Sequence, residues 1–165
     1  MLAGNRSIKD PYGSAAEPTF LSLFSGCGGL DLGFVNAGFK CLLAVDNDHD
    51  ALHVHASNIG APTQVVDMAS GRPPDEILRS VDAFVCGPPC QGFSSMGGRR
   101  IDDPRNTLLV GVAKLAATFM PRLVVIENVL GARSPNHNHY WQEANGLLRS
   151  AGYRTTTIEL DAQKV

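Results

Sequence analysis

The chain has 165 residues, of which 44% are hydrophobic and 18% charged, as expected for one globular domain with a core of its own. Its formal net charge of −2 is unlike that of a free-standing nucleic-acid-binding domain, so such a function would need a local basic patch or a second chain. No apolar run approaches the ~20 residues of a membrane span, and the first residues lack a signal-peptide pattern. The expected location is therefore the cytoplasm, or the nucleus in a eukaryote.

Strand-like and helix-like segments alternate along most of the chain. Residues 1–18 have no periodicity and are expected to form a disordered tail ahead of one domain at 19–165. The predicted strands are 20–24, 40–45, 64–67, 82–86, 122–127 and 153–160. The predicted helices are 30–37, 49–58 with Asp48 as its cap, 74–79, 107–119 and 139–151. This alternation predicts an α/β fold with a mainly parallel sheet and helices on both faces.

A glycine-rich loop, Ser25–Gly29, follows the first predicted strand and would let the backbone approach a ligand closely. The dinucleotide fingerprint G-x-G-x-x-G is not matched, because its third glycine is displaced to Gly33, which disfavours a nicotinamide enzyme. Asp46 ends the second predicted strand, where an acid typically bonds ribose hydroxyls, although a simple helix-start acid is the alternative. Asp67 ends the third predicted strand and is placed to accept from an adenine amino group. Together these residues predict an adenosine pocket.

A rigid turn, Gly87-Pro-Pro89, presents Cys90 at the carboxyl end of the fourth predicted strand. A cysteine held at that sheet edge can act as a nucleophile, whereas most free cysteines are buried and inert. The cysteines, at positions 27, 41, 86 and 90, lack the spacing of a tetrahedral metal site, so neither zinc nor a disulfide framework is expected. The histidines, at positions 49, 53, 55, 137 and 139, are expected on the solvated surface.

Four segments, in this order, resemble the motifs of cytosine-5 DNA methyltransferases. They are FSGCGGLDLGF at 24–34, GPPCQGFS at 87–94, DDPRNTLL at 102–109 and ENV at 127–129. The resemblance runs from Phe20 to about Lys164. It implies a Rossmann-like methyltransferase fold, S-adenosyl-L-methionine as methyl donor and DNA as substrate. It also marks 19–165 as the amino-terminal part of that catalytic domain, without its antiparallel closing strand.

The resemblance implies roles residue by residue. Cys90 matches the nucleophile of the family and Glu127 its catalytic acid. Donor contacts are implied for Phe24, Ser25, Gly26, Cys27, Gly28, Gly29, Asp46, Asn47, Asp67, Pro89 and Leu108. Substrate contacts are implied for Pro89, Ser94, Arg105 and Asn128. Two positions depart from the family pattern. Asn47 replaces a bulky apolar residue that packs on adenine, and Ser22 stands where many members carry an acid.

The chemistry explains why these residue types are needed. A thiolate adding to carbon 6 of cytosine converts the ring into an enamine, whose carbon 5 then attacks the methyl group. Glu127 would neutralise the charge that develops on the ring at nitrogen 3. The target atom lies inside duplex DNA, so the base must be flipped out. The base that removes the carbon 5 proton is not identified.

Two other functions remain open. One is a non-catalytic or degenerate S-adenosylmethionine-binding module, and the other is an RNA cytosine-5 methyltransferase, since one branch of the family methylates transfer RNA. The sequence ends at Val165, before the Gln-x-Arg-x-Arg segment and the target-recognition region of the family. A second polypeptide carrying those segments is therefore the expected partner, with a truncated chain or a gene remnant as the rival explanation.

Overall fold

The computed structural model of the chain describes residues 17–89 and 106–161. The strands are β1 (Thr19–Leu23), β2 (Lys40–Asp46), β3 (Thr63–Val65), β4 (Ala83–Cys86) and β5 (Leu123–Ile126). The helices are α1 (Gly29–Asn36), α2 (His49–Ile59), α3 (Asp75–Ser80), α4 (Thr107–Phe119) and α5 (Asn138–Ser150). Each of these elements lies within two residues of its predicted bounds. Among the described helices, none is long and apolar enough to cross a membrane.

The five described strands form one sheet in the order β3-β2-β1-β4-β5, and every neighbouring pair is parallel. The predicted parallel α/β fold is therefore confirmed. The chain runs outward from β1 to β3 and then crosses back to β4, so the direction of winding reverses between β1 and β4. In open sheets of this kind, ligands bind outside the carboxyl ends of the strands at that reversal.

Alternate strand residues pack into two separate cores, one on each face of the sheet. Leu21 and Phe84 face α3, α4 and α5, together with Leu109 of α4. Phe20 and Val85 face the opposite side, with Phe34 of α1 packed against them. Helices therefore cover both faces, as the alternating pattern predicted.

The predicted sixth strand, 153–160, is wrong, because the structure assigns no strand to these residues. Tyr153 is anchored by its hydroxyl, which donates to the carbonyl oxygen of Pro121 at 2.6 Å. Farther along, Ile158 is 74% exposed and Leu160 is 77% exposed. A strand forms only when a neighbour completes its ladder, and β5 pairs with β4 alone among the described strands. An apolar alternation cannot reveal whether that neighbour is present.

The surface location predicted for the histidines is wrong at two positions. His49, His53 and His139 are exposed as expected. His55 and His137, in contrast, are 0% and 1% exposed. His55 is buried because it lies three residues after the buried Leu52 and so shares the inward face of α2.

Candidate active site

The loop after β1 is folded over the carboxyl edge of the sheet by backbone bonds to β2. The amide of Ser25 donates to the carbonyl oxygen of Val45 at 3.0 Å. The amide of Gly26 donates to the Asp46 carboxylate at 2.8 Å. Phe24 begins the loop with a φ of 56°, a left-handed conformation that is uncommon for a residue with a side chain. Such strain is concentrated at functional sites.

The Asp46 carboxylate connects this loop to the start of α2. One oxygen accepts from Gly26 and the other accepts from the amide of Asp48 at 3.0 Å. Asp48 in turn caps α2, because its side chain accepts from the amides of Asp50 and Ala51. A carboxylate has about four lone-pair sites, so Asp46 retains the capacity to accept ligand hydroxyls. The next residue, Asn47, is exposed.

Gly28 brings the loop into direct contact with α2. Its φ is +91°, and a Cβ at this position would lie 2.9 Å from Cδ2 of His55 and 3.0 Å from Cγ1 of Ile59. We expect Gly28→Ala to lower the free energy of unfolding by about 2–4 kcal/mol, from the left-handed backbone and the overpacking. Gly29→Ala is the matched control, because a Cβ there meets nothing within 4 Å. Denaturant unfolding that gives both variants equal stability would contradict this account.

Phe24 lines two cavities. The first, of about 190 Å³, has polar side chains in its walls, among them Ser25 of the loop, Asp31 of α1 and Glu127 just after β5. The second is a mostly apolar groove of about 340 Å³ that includes Met68 and Leu108 and extends along α4 to Phe119. The two spaces therefore share Phe24, and the first is the more polar of the two.

A buried polar cluster, which we call the Asp31 cluster, forms part of the wall of the first cavity, which Ser22 and Asp31 line. Ser22 Oγ donates to Asp31 Oδ1 at 2.8 Å, and His55 Nε2 lies 2.7 Å from Asp31 Oδ2. All three residues are at most 1% exposed. Burial, and secondarily the charge of Asp31, raise the pKa of the nearby Cys41 thiol to about 12. The thiol is therefore protonated at neutral pH.

The sequence analysis did not identify Asp31 or His55 as site residues. A signal was present, because Asp31 is the sole charged residue of α1. Potential ligand atoms of Asp31, Cys41 and His55 lie within 4.8 Å of one another. The short contact between Asp31 and His55 is that of a hydrogen bond, so the cluster is accounted for as a hydrogen-bonded network.

The ends of β4 and β5 are linked beside the first cavity. The Glu127 amide donates to the carbonyl oxygen of Cys86 at 2.9 Å. The Asn128 side chain donates to the carbonyl oxygen of Pro88 at 3.1 Å. Glu127 is exposed and lines the cavity. Cys86 is fully buried, which raises the pKa of its thiol and makes it a core residue.

The structure brings only part of the predicted site together. Phe24, Ser25 and Glu127 line the first cavity, and Leu108 lines the groove. Asp46 and Asp67 stand at neighbouring strand ends but line neither space. The Asp67 carboxylate instead accepts from the Ala69 amide and the Ser70 hydroxyl within its own turn.

The remaining predicted site residues differ in how far the structure describes them. Cys27 is exposed on the loop, Gly29 is exposed at the start of α1, and Pro89 is half-buried. Cys90, Ser94 and Arg105 lie outside the described residues.

Comparison with known proteins gives consistent matches. A profile of the C-5 cytosine-specific DNA methylase family matches residues 18–165. The chain is 35% identical to the Type II methyltransferase M.HgiDI of Herpetosiphon aurantiacus, over 86% of this chain and 46% of the relative. It is 37% identical to the Type II methyltransferase M.DdeI of Desulfomicrobium norvegicum, over 86% of this chain and 36% of the relative. The chain thus spans less than half the length of these relatives.

A solved structure has the same fold. It is that of an E. coli prophage protein assigned as a DNA modification methyltransferase. The two chains superpose with a TM-score of 0.68 at 31% identity, over 81% of this chain and 38% of that one.

Proposed function

Because the chain belongs to the C-5 cytosine-specific DNA methylase family, we propose that it provides the donor site and the catalytic groups for methylation of cytosine carbon 5 in DNA. The donor in this proposal is S-adenosyl-L-methionine. The observation that carries the proposal is the pair of cavities that share Phe24, of which the first lies at the carboxyl edge where the winding reverses. A non-catalytic binding module would use the same cavities but would not require a nucleophile.

The described residues fit this donor. The apolar walls of the groove, with Phe24, Met68 and Leu108, suit the flat face of an adenine ring. Asp46 lies at the end of β2 with lone pairs left for ribose hydroxyls. The first cavity, with Asp31 and Glu127 in its walls, suits the cationic part of the molecule. When bound, the donor supplies an electrophilic methyl group on a sulfonium.

In this proposal, Cys90, four residues after β4 in the sequence, and Glu127, the residue after β5, both act on the cytosine ring. The Cys90 thiolate adds to carbon 6 and forms a carbon–sulfur bond, while Glu127 provides a proton or a hydrogen bond at nitrogen 3. After carbon 5 has been methylated, a base removes its proton and the thiolate leaves. Asn128 supports this geometry, because its bond to Pro88 ties the chain just before Cys90 to the end of β5.

We further propose that a second polypeptide completes the enzyme at the outer edge of β5. Among the described strands β5 pairs with β4 alone, and Leu123 at its start is 41% exposed. Ile158 and Leu160 add exposed apolar area. An unpaired strand edge is a template for another chain, and pairing there would bury these side chains. The low net charge agrees with a DNA-reading surface supplied from elsewhere.

Methyl transfer from labelled donor to nucleic acid tests this function. We expect duplex DNA to be labelled as 5-methylcytosine when the chain is combined with a polypeptide carrying the Gln-x-Arg-x-Arg segment and the target-recognition region of the family. Labelling by the purified 165-residue chain alone should stay at background.

Transfer RNA, assayed in parallel, is the control for substrate class. Preferential labelling of transfer RNA would show that the substrate is RNA and that the proposed DNA substrate is wrong. Robust labelling of DNA without a partner would show that the complementation proposal is wrong.

A further inference from the structure

Helix α1 buries its charged residue and exposes three of its apolar residues, although Phe34 packs against the core. Asp31 is 1% exposed, whereas Leu30 and Val35 are 37% exposed and Leu32 is 49% exposed. A helix packed on a sheet normally buries its apolar stripe and leaves carboxylates in water. A carboxylate that is buried against this packing rule is expected to have a functional role, and Asp31 is such a residue.

The bonds of the Asp31 cluster come from two other buried side chains. Ser22 Oγ donates to one oxygen of Asp31, and His55 Nε2 bonds the other. His55 Nδ1 has no partner among the described residues. The described residues therefore give each oxygen of Asp31 one hydrogen bond.

Within residues 17–89 and 106–161, few groups compensate the charge of this carboxylate. Neither lysine nor arginine is found among the described residues that line the first cavity. Two hydrogen bonds and the first turn of α1 are the stabilising groups that the structure provides. The charge of Asp31 contributes to the raised pKa of both Cys41 and Cys86, so its field extends through this part of the core.

The position of Asp31 in the cavity indicates which part of a ligand it faces. Asp31 and Ser22 line the cavity on the β1 side, and Glu127 lines it at the end of β5. On the function proposed above, the methyl-bearing end points toward Glu127 and adenosine occupies the groove beyond Phe24. The amino-acid end of the donor is then left beside Asp31.

We propose, on the premise of that donor site, that Asp31 is the binding counter-charge for the α-ammonium group of the donor. Ser22 and His55 are its positioning residues. The ligand supplies a positive charge that none of the described lining residues carries, so binding neutralises a carboxylate that folding leaves buried. Asp31 would then select ligands that carry the amino-acid group.

Calorimetric titration with three adenosine ligands tests this inference. S-adenosyl-L-methionine and S-adenosyl-L-homocysteine carry the ammonium group, whereas 5′-methylthioadenosine lacks it. We expect Asp31→Asn to weaken binding of the first two by about 10- to 100-fold, and to change binding of the third by less than about threefold. Asp50→Asn is the matched control, since it removes a fully exposed carboxylate on α2.

The outcomes separate the inference from the function on which it rests. Equal weakening of all three ligands by Asp31→Asn would mark Asp31 as merely structural and overturn the proposal. A wild-type chain that binds none of the three would overturn the proposed function itself.

If Asp31→Asn does not fold, a second experiment on the wild type tests whether the α-ammonium group is recognised. Its affinity for a homocysteine analogue without the α-amino group should be at least about tenfold lower than for S-adenosyl-L-homocysteine, and equal affinity would overturn the proposal.

Discussion

Replacing Cys90 by alanine is expected to lower methyl transfer in the assembled enzyme by about 10⁴- to 10⁶-fold, the usual cost of removing a nucleophile. Carbon 5 of cytosine is too weak a nucleophile without the covalent bond at carbon 6. Duplex DNA containing 5-fluorocytosine checks this directly, because fluorine blocks the last elimination and traps the adduct. The wild type should form a complex that resists denaturation, and Cys90→Ala should form none.

The other cysteines provide the control for the trapping experiment. Cys41 is buried and its thiol pKa is raised to about 12, so it is protonated and unreactive at neutral pH. Cys41→Ala should therefore keep the adduct. An adduct that persists in Cys90→Ala would remove Cys90 from the mechanism.

The second large effect is expected at Glu127, where Glu127→Gln should slow methyl transfer by about 10²- to 10⁴-fold, as for loss of a general acid. Glutamine keeps the shape of the side chain but cannot provide the proton at nitrogen 3. Glu127 is exposed in the cavity wall, so the substitution leaves both cores intact. Single-turnover rates at saturating donor isolate this step from binding.

Glu143→Gln is the matched control, because Glu143 is an exposed residue of α5. Its single-turnover rate should equal that of the wild type. A Glu127→Gln enzyme that is as fast as this control would refute the catalytic role. A loss that is entirely one of donor affinity would instead make Glu127 a binding residue.

Local signals explain why most elements could be predicted from the sequence. Helix α4 has the predicted bounds, Thr107–Phe119, because its apolar spacing is strong and Pro121 follows it. Asp48 caps α2 as predicted, since capping depends on neighbours within three residues. The strand ends that carry Asp46, Asp67 and Glu127 could be placed at one edge, because parallel strands must align there.

What could not be predicted depends on contacts between distant residues. Residues 153–160 have the alternation of a strand, but a strand also needs a partner at the β5 edge. The inward turn of Asp31 depends on Ser22 and His55, which lie 9 and 24 residues away in the chain. The residue spacing in α1 does not indicate that Asp31 is buried while three apolar residues are exposed. Spacing alone also cannot show that the Asp67 carboxylate is bonded within its own turn.

The most direct test of the central claim is to locate donor binding by amide NMR. On titration with S-adenosyl-L-methionine, we expect the largest shifts at Ser25 and Gly26 in the loop, at Asp46, and at Met68 and Leu108 around the groove. Amides of α5, which does not line either cavity, should change little. Shifts confined to other surfaces, or none at saturating donor, would contradict the assignment of this sheet edge as the methyl-donor site.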